Sequence, residues 1–267
     1  MLTELHHKGG CLCQPAQEGK LRCPLLVRPT SEDVITGHLA HALRILNPRH
    51  WLSDLLNAAL GTERFRRQVY RKLRIEPWVN KLRFPREWLP WDEGSTQVDL
   101  EITWENPPTT VYVEAKYGSG LSPQTSGDDG RSGFSSDQLS RCARVGLWEC
   151  GYYREDRLFE RGRRDFILIV LSPAGRHALV DQYRNPRQLK TVLPSGHLLE
   201  AFPRHPFIGQ LSYGRLRQVL TQRLRFYTRP ERQVVGTLDE YLAFKSSTAP
   251  DRARQLSGFS LPLAEGG

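Results

Sequence analysis

A chain of 267 residues, 39% apolar and 25% charged, is long enough to bury a sizeable core and lies outside the composition of disordered proteins. Its formal charge of +9 points to a polyanionic partner, nucleic acid being the commonest. A membrane span is excluded: a spanning helix needs roughly 18 to 20 apolar residues, and the longest apolar run, residues 166–171, is strand-sized. Met1 to His7 has neither the basic start nor the apolar middle of a secretory signal, so the expected location is the cytoplasm.

Lysine occurs only at Lys8, Lys20, Lys72, Lys81, Lys116, Lys190 and Lys245, so arginine carries most of the positive charge. Arginine grips phosphate through a bidentate fork, although codon bias in a GC-rich genome gives the same excess. The odd set Cys11, Cys13, Cys23, Cys142 and Cys150 argues for reduced thiols. Cys11, Cys13 and Cys23, with His6 and His7 nearby, are zinc-ligand types, but they lack the usual pair of two-residue-spaced couples.

Along the chain, residues 1–29 show no periodicity and read as an irregular arm. One domain is expected over 30–246, followed by a flexible tail at 247–267. Thr30 or Ser31 caps a first helix: Glu32 and Asp33 fill its first turn, and Val34, Ile35, Leu39, Ala42, Leu43 and Leu46 follow at helical spacing. Asn47-Pro48 ends it. Helix is expected to continue over 51–60 and 63–73, broken at Gly61-Thr62. Strands follow at 78–84, 97–104 and 109–117, the last two joined through Asn106-Pro107-Pro108. A Gly/Ser-rich loop at 118–133 leads to a helix over 135–149. A buried strand at 165–171, a helical piece at 177–183, a short strand at 208–211 and helices at 213–226 and 230–245 complete the order. The fold class is α/β, a central mixed sheet flanked by helices.

The chemistry concentrates on the 97–117 hairpin. In residues 98–104 every second side chain is apolar, which puts Asp99 and Glu101 on the opposite strand face. In residues 111–116 the face opposite Val111, Val113 and Ala115 carries Tyr112, Glu114 and Lys116. Pairing Trp104 with Val111 would set Asp99 opposite Lys116 and Glu101 opposite Glu114, with Asp99 and Glu114 diagonal neighbours. Carboxylates held this close repel one another, and a hard divalent cation, Mg2+ or Mn2+, relieves that repulsion. Lys116 beside such a cation can orient water and offset charge at phosphorus, which is phosphodiester hydrolysis. The bland alternative is a solvated hairpin face with a cross-strand Asp/Lys pair.

Asp99 followed across a strand turn by Glu114-Ala115-Lys116 resembles the PD-(D/E)xK nuclease superfamily, the restriction-endonuclease-like fold, over residues 32–226. Val98 stands where the motif's proline is usual. The resemblance implies a core of helix, three strands, helix and strand (αβββαβ order) with extra C-terminal helices. It also implies a metal-dependent nuclease, most readily a DNA endonuclease of restriction, phage defence or mobile elements. Glu32 matches the helix acid placed near the metals, beside Asp99 and Glu114. Gln138 matches a glutamine on the helix facing the site, and Arg141 and Arg144 follow as phosphate contacts. A homodimer or a partner from a larger system is the expected assembly. The competing expectation is a nucleic-acid-binding or assembly subunit that retains the fold without cutting. Tyr213 reads as core packing. His38 and His41, one turn apart, have no visible third ligand.

Overall fold

The computed structural model describes residues 32–117, 121–122, 124, 128–154 and 162–247. Helix α1 (Glu32–Ile45) and α2 (Leu52–Leu60) precede a meander of β1 (Arg71–Asn80), β2 (Gln97–Glu105) and β3 (Thr109–Ala115). Helix α3 (Gln138–Glu149) leads to β4 (Asp165–Ser172). Helices α4 (Ala178–Tyr183) and α5 (Pro186–Val192) then lead to β5 (Ile208–Ser212), and α6 (Tyr213–Thr221) and α7 (Arg229–Ser247) close the described chain. The five strands form one sheet in sequence order. β1, β2 and β3 are antiparallel, whereas β4 and β5 run parallel to β3. The expected α/β class with a mixed sheet between helices is what the chain adopts.

The alternation in β2 follows the sequence: Val98, Leu100, Ile102 and Trp104 are buried while the residues between them are not. β4 is apolar on both faces because helices cover both sides of it, the usual condition of a parallel strand. One core gathers Leu100, Ile102, Trp104, Val111, Val113 and Ile169 under α1, α2, α6 and α7. The other gathers Tyr112, Phe166, Leu168 and Val170 under α3, α4 and α5. Two glycines mark where helices meet the sheet. A Cβ on Gly146 would fall on the Phe166 ring, and one on Gly209 would fall on the Ala59 carbonyl.

Three expectations need correction. Residues 63–73 do not form a helix: Gly61 ends α2 in the left-handed conformation, and β1 begins at Arg71 rather than at 78. β1 is an edge strand, so Arg71, Lys72, Arg74 and Glu76 face solvent. Their charge, which resembles a polar helix face in the sequence, guards the open edge. Pro77 is tolerated for the same reason. Helix α5 adds to the predicted elements, with Asn185 capping it and Pro186 at its start. The arm at 1–29, its cysteines, the Thr30 or Ser31 cap, the tail beyond 247 and parts of the 118–133 loop lie outside the described residues. Among the described residues, no helix is long and apolar enough to cross a membrane.

Candidate functional site

The β2–β3 ladder pairs Trp104 with Thr109, Ile102 with Val111 and Leu100 with Val113. One step further along this register, Asp99 faces Glu114 directly rather than diagonally. The expected pairing of Trp104 with Val111 is therefore two residues out. Pairing runs right up to the turn, which confines Pro107 and Pro108, neither able to donate to a ladder, to the loop itself. The shift removes Glu101 from the site. Glu101 faces Tyr112, and its carboxylate takes Lys81 Nζ at 2.7 Å, while Glu149 takes the same ammonium at 2.9 Å.

Beyond Leu100 and Val113 the carboxylate of Asp99 replaces a strand partner, accepting the Ala115 amide at 2.8 Å. Glu114, 2% exposed, receives three neighbours. Lys116 Nζ lies 2.9 Å from its Oε1, Gln138 Nε2 donates to the same oxygen, and Cys142 Sγ stands 3.8 Å from Oε2. Glu32, in the first turn of α1, accepts the Tyr117 amide at 2.7 Å and lies 3.6 Å from Lys116 Nζ. One sheet end thus brings together Asp99, Glu114 and Lys116 from the hairpin, Glu32 from the helix layer on one face and Gln138 from the layer on the other.

The electrostatics follow from three carboxylates and one ammonium in a largely buried setting. Burial, and next the Glu114 charge, push the Asp99 carboxyl up to about 8, against the pull of Lys116 and the Ala115 amide. At neutral pH Asp99 therefore keeps its proton. Burial pulls the Lys116 ammonium down, but Glu114 and Glu32 outweigh it and hold the group above the ordinary lysine value. As arranged, no three His, Cys, Asp or Glu among the described residues form a set able to hold an ion, Lys116 standing as the cation between Glu114 and Glu32. Asp99 and Glu114 are the adjacent pair of oxygen donors.

Comparison with family models, curated proteins and solved structures returns no match.

The flanking residues divide sharply. Gln138 is held by its own amide, which donates to Ser122 O at 3.0 Å, and by Asp137, which caps α3 and accepts Ser140 N at 2.9 Å. Arg141 is half-buried, donating to Thr96 Oγ1 at 3.0 Å and to Ser95 O at 2.8 Å. It lines, with Thr96, Gln97, Ser122, Gln138 and Cys142, a polar cleft of about 150 Å³ beside Glu114. Arg144, expected as a phosphate contact, is fully buried. It pairs with Glu93 at 2.5 Å and lies over the Phe84 and Trp91 rings. It fastens the segment before β2 onto α3 and cannot reach a ligand in solvent.

Two supporting contacts have no signal in the sequence. Tyr213 is core, as expected, but its hydroxyl also donates to Lys116 O at 2.5 Å, fixing the backbone that carries the lysine. Lys245, deep in α7, lies with Nζ 4.6 Å from the Tyr117 ring centre, behind the amide that holds Glu32. An isolated lysine late in a helix gives no signal in one sequence. His38 packs on Tyr241 at 4.7 Å, and burial lowers its pKa, whereas His41 is exposed.

Proposed function

We propose that this chain is a divalent-cation-dependent nuclease, a DNA endonuclease in its simplest form, on a restriction-endonuclease-like core of the PD-(D/E)xK type. The observation that carries the reading is the directly opposed pair Asp99 and Glu114, with the Asp99 carboxyl held up to about 8 and Lys116 Nζ 2.9 Å from Glu114. Two hard oxygen donors forced together with less positive charge than they need fit Mg2+ or Mn2+. Asp99 and Glu114 would hold the ion, with Glu32 next to them. When bound, the cation supplies Lewis-acid charge to the phosphoryl oxygens.

The chain's own residues supply the rest. Lys116, kept protonated by Glu114 and Glu32, offers a fixed positive charge to a phosphate developing negative charge. Glu32 and Tyr213 position that lysine through its side chain and its carbonyl. Gln138, already donating to Glu114, keeps the carboxylate turned toward Lys116 and offers an amide to water or to the substrate backbone. Arg141, which lines the adjoining cleft, is the phosphate contact that remains of the two expected.

One observation favours the competing reading, a nucleic-acid-binding subunit that does not cut. Lys116 already pairs with both Glu114 and Glu32, which gives the cluster an ion-paired face without a metal. Incubation of the protein with plasmid, linear duplex, single-stranded DNA and RNA separates the two readings. Mg2+ or Mn2+ is compared with EDTA, and Asp99→Ala and Lys116→Ala are run in parallel. The nuclease reading predicts cleavage by wild type only in the presence of the cation. Equal binding by all three proteins with no cleavage of any substrate contradicts it.

A further inference from the structure

A second surface, on the layer formed by α2 and α6, has chemistry of its own. Between these helices lies an open cleft of about 720 Å³. Its charged lining is four arginines, Arg49, Arg66, Arg215 and Arg223, against two acids, Asp54 and Glu63. The acids are already engaged: Asp54 takes Arg223 at 2.9 Å and Glu63 takes Arg66 at 3.2 Å. Arg49 and Arg215 are exposed and pair with no carboxylate among the described residues. The uncharged lining includes Ser53, Asn57, Thr62 and Gln222, hydroxyl and amide groups that bond phosphate oxygens as readily as they bond water.

The cleft lies on the helix that starts at the carboxylate cluster. The register aligns Ala115 with Leu171, and Leu171 with Leu211, so β5 ends level with the site. α6 starts there, with Tyr213 bonded to Lys116 O, and Arg215 is two residues further on. From Arg215 the cleft follows α6 back to Arg223, beside α2. An enclosed apolar floor, which a small molecule would need, is missing from this lining. A row of guanidinium groups at an open groove instead matches a repeating anion.

We propose that the α2–α6 cleft binds the phosphodiester backbone of a nucleic acid, with Arg49 and Arg215 as its principal contacts. This is a binding site separate from the carboxylate cluster, and it does not require that the chain cut what it binds. The test uses the full chain in EDTA, so that cleavage plays no part. Fluorescence anisotropy follows a labelled 30-base-pair duplex, and the matching single strand, across a range of salt concentrations. Arg49→Ala/Arg215→Ala is compared with wild type and with Arg74→Ala/Arg187→Ala, which removes the same charge from exposed arginines elsewhere. The thermal midpoint of each variant checks that it folds.

Each lost phosphate contact lowers the slope of log affinity against log salt by about 0.9, so the cleft variant should lose roughly 2 from the slope. At 50 mM salt its affinity should fall by about tenfold or more, while the control variant stays within about twofold of wild type. Equal weakening in both variants would overturn the proposal, since only net charge would then matter. So would an absence of binding by wild type, or competition by poly-glutamate as effective as that by unlabelled DNA.

Discussion

At the scale of single residues, Asp99 sets the pH behaviour of the whole site. An isolated aspartate ionises near 3.8, and in the folded chain Asp99 is pushed up to about 8. Between those values the folded state holds a proton that the unfolded state has released, so stability falls as pH rises through this window and levels off above it. Asp99→Asn removes the charge that must be buried. Its thermal midpoint should exceed wild type by several degrees at pH 8.5 and match it near pH 4. An unchanged difference across that range would mean that Asp99 ionises normally. The residues of this cluster were readable from one sequence because alternation in a strand fixes the face of every side chain. The two-residue error in register, which misplaced Glu101, was not avoidable. Alternation is preserved by any even shift, and only the closeness of the turn chooses among them.

At the scale of elements, the β2–β3 hairpin and α3 are legible from their apolar periods, and β4 from its short, continuous apolar run. β1 is not: an edge strand with charge on most positions has the same composition as a solvated helix, and only its neighbour β2 decides between them. Arg144 shows the same limit. Burial of an arginine depends on Glu93, distant in sequence, and nothing local announces the pairing. Because Glu93 is also buried, Arg144→Met should leave its carboxylate with only the Arg141 guanidinium at 3.6 Å and the Trp91 indole at 3.0 Å, and cost about 3 kcal/mol in urea unfolding. Adding Glu93→Gln should recover part of that loss. Equal stability of the single and double variants would contradict the pairing. Close approach gives a second test. Gly146→Ala drives a methyl into the Phe166 ring and should lower stability by about 1 to 3 kcal/mol. Gly236→Ala, in the open on α7, should be neutral or slightly stabilising.

At the scale of the molecule, the sheet separates two cores, and the candidate site is the place where both helix layers reach the same end of it. Glu32 comes from one layer and Gln138 from the other, so a cation joining the carboxylates would tie the layers together. Binding only to the folded state raises stability by mass action, about 2.7 kcal/mol when the ligand is 100-fold above its dissociation constant. Mg2+ should therefore raise the thermal midpoint of wild type and leave that of Asp99→Ala/Glu114→Ala unchanged. It should raise it more at pH 8 than at pH 6, because the ion competes with the proton that Asp99 holds. Stabilisation of both proteins alike would place the cation elsewhere.

The most direct measurement is the initial rate of plasmid cleavage in Mg2+ from pH 6 to 9, for wild type, Asp99→Asn and Lys116→Met. A site that must release the proton held by Asp99 before it can work predicts a wild-type rate that climbs with pH toward a plateau near 8 to 9. Both variants should stay at the level of the enzyme-free control. Cleavage by either variant at the wild-type rate, or no cleavage by wild type at any pH, would contradict the assignment of phosphodiester hydrolysis to Asp99, Glu114 and Lys116.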